Sequence, residues 1–283
     1  MRTLIWSLAL ASALHPSLTA AKEQRMAGFE WNAGLGVAAL AYPAWRGASE
    51  SESLALPAPV FSAWTDNAEI GRSGLQAEKY LGKGWEIRLS GTGSLPVDSD
   101  ASPLREGLDD LDPTLEIGPA LGWTSRPYGN WRLRAESLLR GVFTLDFSKP
   151  QWLGWTFQPR LAVHWQQGSL AAENAWYARL AVGPIWAQDK QHRYFYSVTA
   201  EEAAINPLLR PYEASGGYSG TRTNLALTWV RGRARLSAYV GYDDLRGVAF
   251  QDSPLRPEDD YWLIGTFISW RFWGEARPLR FEE

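Results

Sequence analysis

The stretch Tyr261 to Phe272, YWLIGTFISWRF, alternates with a period of two. Trp262, Ile264, Thr266, Ile268, Trp270 and Phe272 fall on one face, and Tyr261, Leu263, Gly265, Phe267, Ser269 and Arg271 on the other. The first face is apolar throughout and carries tryptophan near both ends. A lipid-facing strand has this form, because the two interfaces of a bilayer hold amphipathic rings. A core strand of a soluble sandwich would read the same way in isolation. Recurrence along the chain separates the two.

The pattern recurs. Phe29 to Ala39 alternates from its first residue, and Ser53 to Trp64 follows, although Pro57 and Pro59 remove two ladder donors. A weaker strand near Ile70 to Glu78 leads to Trp85, Ile87 and Leu89. The cleanest alternation spans Leu115–Trp123, Trp131–Leu145, Trp155–Trp165 and Trp176–Trp186; Tyr194–Val198, Thr223–Trp229 and Leu236–Tyr242 follow before the final strand. Successive strands begin or end their apolar face with tryptophan and place Arg, Glu, Gln or His opposite. A sandwich, whose aromatic faces share one core, would scatter tryptophans along its strands, whereas a membrane barrel repeats both interfaces on every strand. The expected fold is therefore all-β: a single closed antiparallel transmembrane β-barrel of about twelve strands, or roughly ten if the weak early strands merge. Its interfacial rings would include Trp123, Trp131, Trp155, Trp165, Trp176, Trp186, Trp229, Trp262, Trp270 and Phe272.

Composition agrees with that class. The chain has 16 tryptophans against 2 methionines, and its mean hydropathy is slightly negative, as expected when every second strand residue faces a polar interior. A formal net charge of −3 gives no electrostatic case for nucleic acid. The absence of cysteine excludes disulfide and thiolate–metal chemistry and suits export. Arg2, the apolar run Leu4–Leu14 and the small residues Thr19, Ala20 and Ala21 read as a secretory signal over residues 1–21, which leaves residues 22–283 as one barrel domain in the outer membrane. Gly91–Pro113, Thr199–Ser219 and Asp243–Asp260 are long polar loops, and Trp45–Glu52 is a polar turn.

Candidate chemistry lies on the polar faces. Arg132, Arg134, Glu136 and Arg140 alternate on one strand, and closure would bring Arg160, His164 and Arg179 near them, with Glu86 and Arg88. This cluster admits two readings, a constriction that selects anions or an interior filled by ion pairs. His164 could serve an esterase-like site, but its strand supplies no serine within two residues on that face, so a hydrogen-bonded interior histidine is expected. His192 reads as solvated in a short turn, and Asp109, Asp110 and Asp112 do not match the spacing of a calcium loop. No catalytic set, cofactor site or metal site is expected.

Several motifs carry a family resemblance. Gly34-Leu35-Gly36, Tyr42-Pro43, Arg46-Gly47-Ala48 and Leu56-Pro57-Ala58-Pro59 resemble the opening of the MltA-interacting protein (MipA/OmpV) family. Gly107-Leu108-Asp109-Asp110, Leu115-Glu116-Ile117-Gly118-Pro119, Tyr194-Phe195-Tyr196-Ser197-Val198 and Tyr212-Glu213-Ala214-Ser215-Gly216-Gly217 continue it. The resemblance implies an outer-membrane barrel, a monomer in contact with lipid. It also implies a scaffold joining a murein lytic transglycosylase to a murein synthase, with no catalytic residues. A narrow solute channel is the alternative, and a lipid-modifying enzyme using His164 a third possibility. Family members tend to stop at the final aromatic, whereas this chain continues from Trp273 to Glu283.

Overall fold

The structure, a computed structural model, describes residues 30–64, 68–71, 74–146, 149–168 and 174–274. Residues 1–29, which include the expected signal segment, and the tail after residue 274 lie outside the described residues. Among the described residues, twelve strands account for most of the structure. They are β1 (Glu30–Pro43), β2 (Ser51–Trp64), β3 (Ala68–Gly71), β4 (Gly74–Gly82), β5 (Trp85–Ser94), β6 (Thr114–Thr124), β7 (Trp131–Thr144), β8 (Trp152–Gln167), β9 (Asn174–Ala187), β10 (Gly217–Arg231), β11 (Ala234–Asp244) and β12 (Asp260–Gly274). Two short helices, α1 (Asp189–Tyr196) and α2 (Ala200–Ile205), lie between β9 and β10.

All strands are antiparallel to their neighbours and belong to one sheet, whose order β1-β12-β11-β10-β9-β8-β7-β6-β5-β4-β3-β2 returns to β1. The β1–β12 seam pairs Leu35 with Trp270 and Val37 with Ile268. The thinnest join is β2 to β3, held by Ala63↔Ile70 and Trp64↔Glu69. Between β5 and β12, and on to β1 and β2, neighbouring strands pair over most of their length, the arrangement that satisfies backbone groups in hydrocarbon, whereas the β2–β3 join spans two residue pairs of a fourteen-residue strand. No helix among the described residues is long and apolar enough to cross a membrane.

The two faces of the sheet are chemically opposite. Leu35, Val37, Leu133, Leu161, Leu180, Ile264 and Ile268 point outward and are exposed. The buried apolar residues are mostly elsewhere: Trp45, Val97, Leu111, Tyr196, Leu245, Val248 and Phe250 form one cluster, and Leu108, Val198, Leu209 and Leu255 a second beside it. All of these come from the connections at one end of the sheet. That end carries the connections of seven or more residues, including 188–216 between β9 and β10. The other end carries the tight connections Lys83–Gly84 and Gly232–Arg233 together with both ends of the described chain. The loops expected to be polar therefore fold together into a cap with its own hydrophobic core. Trp45, expected in a polar turn, is 4% exposed and donates from its indole to the Leu255 carbonyl at 2.7 Å.

Two expected strands are corrected. Tyr194–Val198 is not a strand: α1 runs to Tyr196, and Val198 forms only an isolated bridge with Tyr212. Helical spacing sets His192 and Tyr196 on one side, where both are buried against Phe250, whose ring stacks on Tyr196 at 3.7 Å. The stretch Ile70–Glu78 is divided between β3 and β4, which pair with each other.

Candidate functional site

Glu136, on the inner face of β7, is the hub of the interior. Its side chain is 1% exposed, and its carboxylate takes four guanidinium groups from four strands. Arg88 of β5 and Arg134 Nε, the latter at 2.9 Å, reach Oε1. Arg160 of β8 and Arg179 Nη2 of β9, the latter at 3.1 Å, reach Oε2. Arg134 also donates to Glu86 of β5. The register makes this convergence possible: Glu136 lies opposite Arg160 on one side and Gly122 on the other. At Gly122 a Cβ would stand 3.1 Å from Glu86 Oε1 and 3.2 Å from Arg134 Nη2, so the missing side chain is the gap through which β5 joins β7. Four arginines meet two carboxylates, which leaves the cluster electropositive.

The expected cluster is divided by height along the strands. Arg140 stands four residues beyond Glu136, and at ~3.3 Å per residue that is about 13 Å along the strand. It pairs instead with Glu116 of β6 at 3.1 Å and donates to Gln158 at 3.2 Å. Arg132 and His164 lie toward the tight-turn end, where they line a separate hollow with Asn130 and Gln166. His164 Nδ1 lies 2.8 Å from the Tyr177 hydroxyl. A third charged knot closes the interior beneath the cap: Arg222 holds Asp243 through both carboxylate oxygens at 2.6 Å, Arg46 Nε reaches it at 3.1 Å, and Tyr261 donates to it. Sequence reading passed over this knot because Arg46 and Asp243 are 197 residues apart.

The aromatic residues fall into two tiers. Toward the tight-turn end, Trp131 faces Trp165 at 6.3 Å, Trp176 stacks on Trp229 at 5.8 Å, and Trp123, Trp270 and Phe272 lie at the same end of their strands. Toward the cap, Trp155 packs on Trp152 at 5.1 Å, Trp186 on Phe157 at 5.9 Å, and Trp262 on Tyr242 at 4.8 Å. Trp31, Phe61, Phe143 and Tyr218 join these tiers and were not singled out from the sequence.

His192 is 1% exposed, not solvated. Its Nδ1 lies 2.7 Å from the Ser215 carbonyl, which can only accept, so the proton sits on Nδ1. Burial drives its pKa down to about 4, Ser215 opposes the shift, and Arg46 adds to it. A folded-state pKa below the unfolded value means that the unfolded chain binds the extra proton. The contribution of His192 to stability is thus complete above about pH 6.5 and is lost as pH falls toward 4. Amide exchange in α1 and the 245–255 segment is expected to accelerate over that window, and His192→Phe is expected to flatten the response.

Comparison with known proteins adds the family. No curated protein matches the chain. Solved structures that resemble it include Pseudomonas aeruginosa OccK8 (OprE), at 8% identity over 76% of this chain and 68% of that one, with a TM-score of 0.22. Acinetobacter baumannii OccAB1 is 11% identical over 76% of this chain and 65% of its own, with a TM-score of 0.25. Pseudomonas aeruginosa OccK2 (OpdF) is 10% identical over 88% of this chain and 100% of its own, with a TM-score of 0.23. Scores this low carry no argument about this chain. The model of the MltA-interacting protein family, MipA, by contrast matches residues 35–272, far more than half of the sequence, and the chain belongs to that family.

Proposed function

We propose that this chain is a closed outer-membrane β-barrel, exported on residues 1–21, that acts without chemistry of its own as a membrane anchor for murein-processing enzymes. The observation that carries the membrane reading is the inversion of burial: large apolar residues are exposed along the strands, while the hydrophobic core lies in the cap. A water-facing surface would expose apolar groups singly, whereas a continuous belt between two aromatic tiers fits hydrocarbon bounded by two interfaces. Tight connections and chain ends face the periplasm in such barrels, so the cap faces outward and the tight-turn rim faces the wall. The partner reading rests on the family name, which specifies MltA, a lytic transglycosylase; a murein synthase follows from the resemblance alone. Cross-linking in intact cells through a photoreactive residue at Arg126, in the connection before β7, is expected to recover a lytic transglycosylase. Recovery of neither transglycosylase nor synthase from this or neighbouring rim positions would remove the partner reading and leave the membrane reading standing.

A channel for small solutes is the second reading, favoured by the arginine surplus around Glu136. Purified chain in planar bilayers would then conduct with anion preference, and Arg179→Glu, which leaves three guanidinium groups against three carboxylates, would abolish it. Bilayers that stay silent at high protein density would eliminate the channel.

A further inference from the structure

The wall is interrupted on the cap side of the β3–β4 hairpin. β2 meets β3 only at Ala63 and Trp64, and β4 meets β5 only between Glu78–Gly82 and Trp85–Arg88. Among the described residues, Ser51–Ser62 of β2 and Leu89–Ser94 of β5 therefore have no ladder on the sides that face each other. Burial marks the same place. On β7 the inward side chains of Glu136, Leu138 and Arg140 are buried, whereas Ser53 to Pro57 and Gly91 to Pro96 are exposed at every position, on both faces of their strands. Pro57 and Pro59 lie on this edge of β2. Sheets admit proline where its missing N–H would meet no partner strand.

The interior beside the gap is apolar. Leu40 lines the cavity beneath the cap and is paired directly with Leu54, as Ala38 is with Leu56, so both leucines of β2 face inward. They are nevertheless 37% and 50% exposed. β12 adds Leu263, which lines the same cavity, and Phe267, which is paired with Ala38 and sets its ring over Gly36. The cavity, of about 270 Å³, extends from Leu40 and Tyr42, behind β2, to Thr92, Ser94 and Leu95 on the β5 side of the gap. Elsewhere the interior is filled by ion pairs, so this strip of leucine and phenylalanine is apolar surface without a use in a polar lumen.

We propose that the gap is a lateral port through which one acyl chain of a membrane lipid enters the barrel and lies along Leu54, Leu56, Leu40, Leu263 and Phe267. The inference rests on the membrane reading. The gap interrupts the outward belt, in which Leu35 and Val37 stand opposite Pro59 and Pro57, so hydrocarbon is what lies against it. A strand from another protein or from a second copy is the rival occupant, and the two prolines remove donors that its ladder would need. The cavity falls just below the ~300–1,000 Å³ of drug-sized sites, which suits a single tail and excludes a whole lipid.

The test is photo-cross-linking of the full chain in phosphatidylcholine vesicles that contain a phosphatidylcholine with a diazirine in one acyl chain, with adducts located by peptide mass spectrometry. Adducts are expected on the inward Leu54, Leu56 and Leu263 as well as on the outward Leu35 and Val37. None is expected on Ala226, which faces inward from the continuous wall, two residues from the cavity-lining Asn224. Outward adducts without inward ones would overturn the port and leave the membrane reading standing; loss of both would remove the two together. Adducts on Ala226 equal to those on Leu56 would mean a lumen filled with lipid, and covalent dimers joined through β2 would mean a protein occupant; either result overturns the proposal. Leu56 is half exposed, so Leu56→Asn should fold normally, with adducts on Leu35 and Val37 unchanged as the internal standard. The yield on Leu54 and Leu263 is expected to fall about tenfold, the scale of one leucine side chain moved from hydrocarbon to water. An unchanged inward yield in that variant would also overturn the port.

Discussion

Glu136→Gln is expected to be the most damaging single substitution in the interior, at about 3–5 kcal/mol. The carboxylate is 1% exposed and is the shared partner of Arg88, Arg134, Arg160 and Arg179. Glutamine keeps the shape and one acceptor oxygen but removes the charge, leaving four guanidinium groups with only Glu86 between them. Arginine cannot escape by losing its proton, so the strands must part or water must enter. The readout is the denaturant midpoint of refolding into detergent micelles, followed by the mobility of the unheated folded species on gels. Adding Arg160→Met to Glu136→Gln removes one of the stranded cations and should recover part of the loss. A purely steric role for Glu136 predicts no such recovery. A midpoint for Glu136→Gln within 0.5 kcal/mol of the parent, by the usual scale for harmless surface changes, would show that the cluster is solvated and not a structural hub.

The architecture was largely legible because a sheet with lipid-like chemistry outside and polar chemistry inside writes a period of two into the sequence. Trp131 and Trp165 could be assigned to the end of their strands because each opens or closes an alternating run, and the register pairs them directly. Register itself was not legible. That four arginines share one carboxylate depends on which residue stands opposite Glu136, and the gap at Gly122 carries no signal except in the folded pairing. Two errors cancelled in the number of strands: the aromatic run Tyr194–Val198 has strand propensity but folds into the end of α1, while Ile70–Glu78 divides into two strands. The cap was misread for a related reason. Leu245, Val248, Phe250 and Leu255 are spaced irregularly among Asp, Arg and Pro, so no periodicity exposes their common core. The sequence placed His164 among the interior charges, but the cavity beneath the cap, whose walls come from β1, β5 to β12 and α1, leaves no mark in it.

Leu161→Arg separates lipid from water as the solvent of the outer face. Leu161 is 65% exposed near the middle of β8, between the tier that holds Trp165 and the tier that holds Trp155. On a water-facing surface, an exposed leucine changed to arginine should alter stability by no more than about 0.5 kcal/mol. At the midplane of a bilayer the same change costs about 2–4 kcal/mol, falling to about 0–1 near the interfaces. The cost should therefore depend on depth. Leu161→Arg and Val37→Arg, both central on their strands, are expected to be strongly destabilising in phospholipid vesicles. Trp131→Arg, at the tight-turn tier, should cost much less despite removing a larger ring. Chemical unfolding of the three variants from vesicles gives the comparison directly. A flat profile, with central and terminal positions costing the same, would mean that no hydrocarbon covers these strands. In that case the outward belt must be buried by protein, since Leu35, Val37, Ile264 and Ile268 form a contiguous apolar seam across β1 and β12 that water would not leave unpartnered.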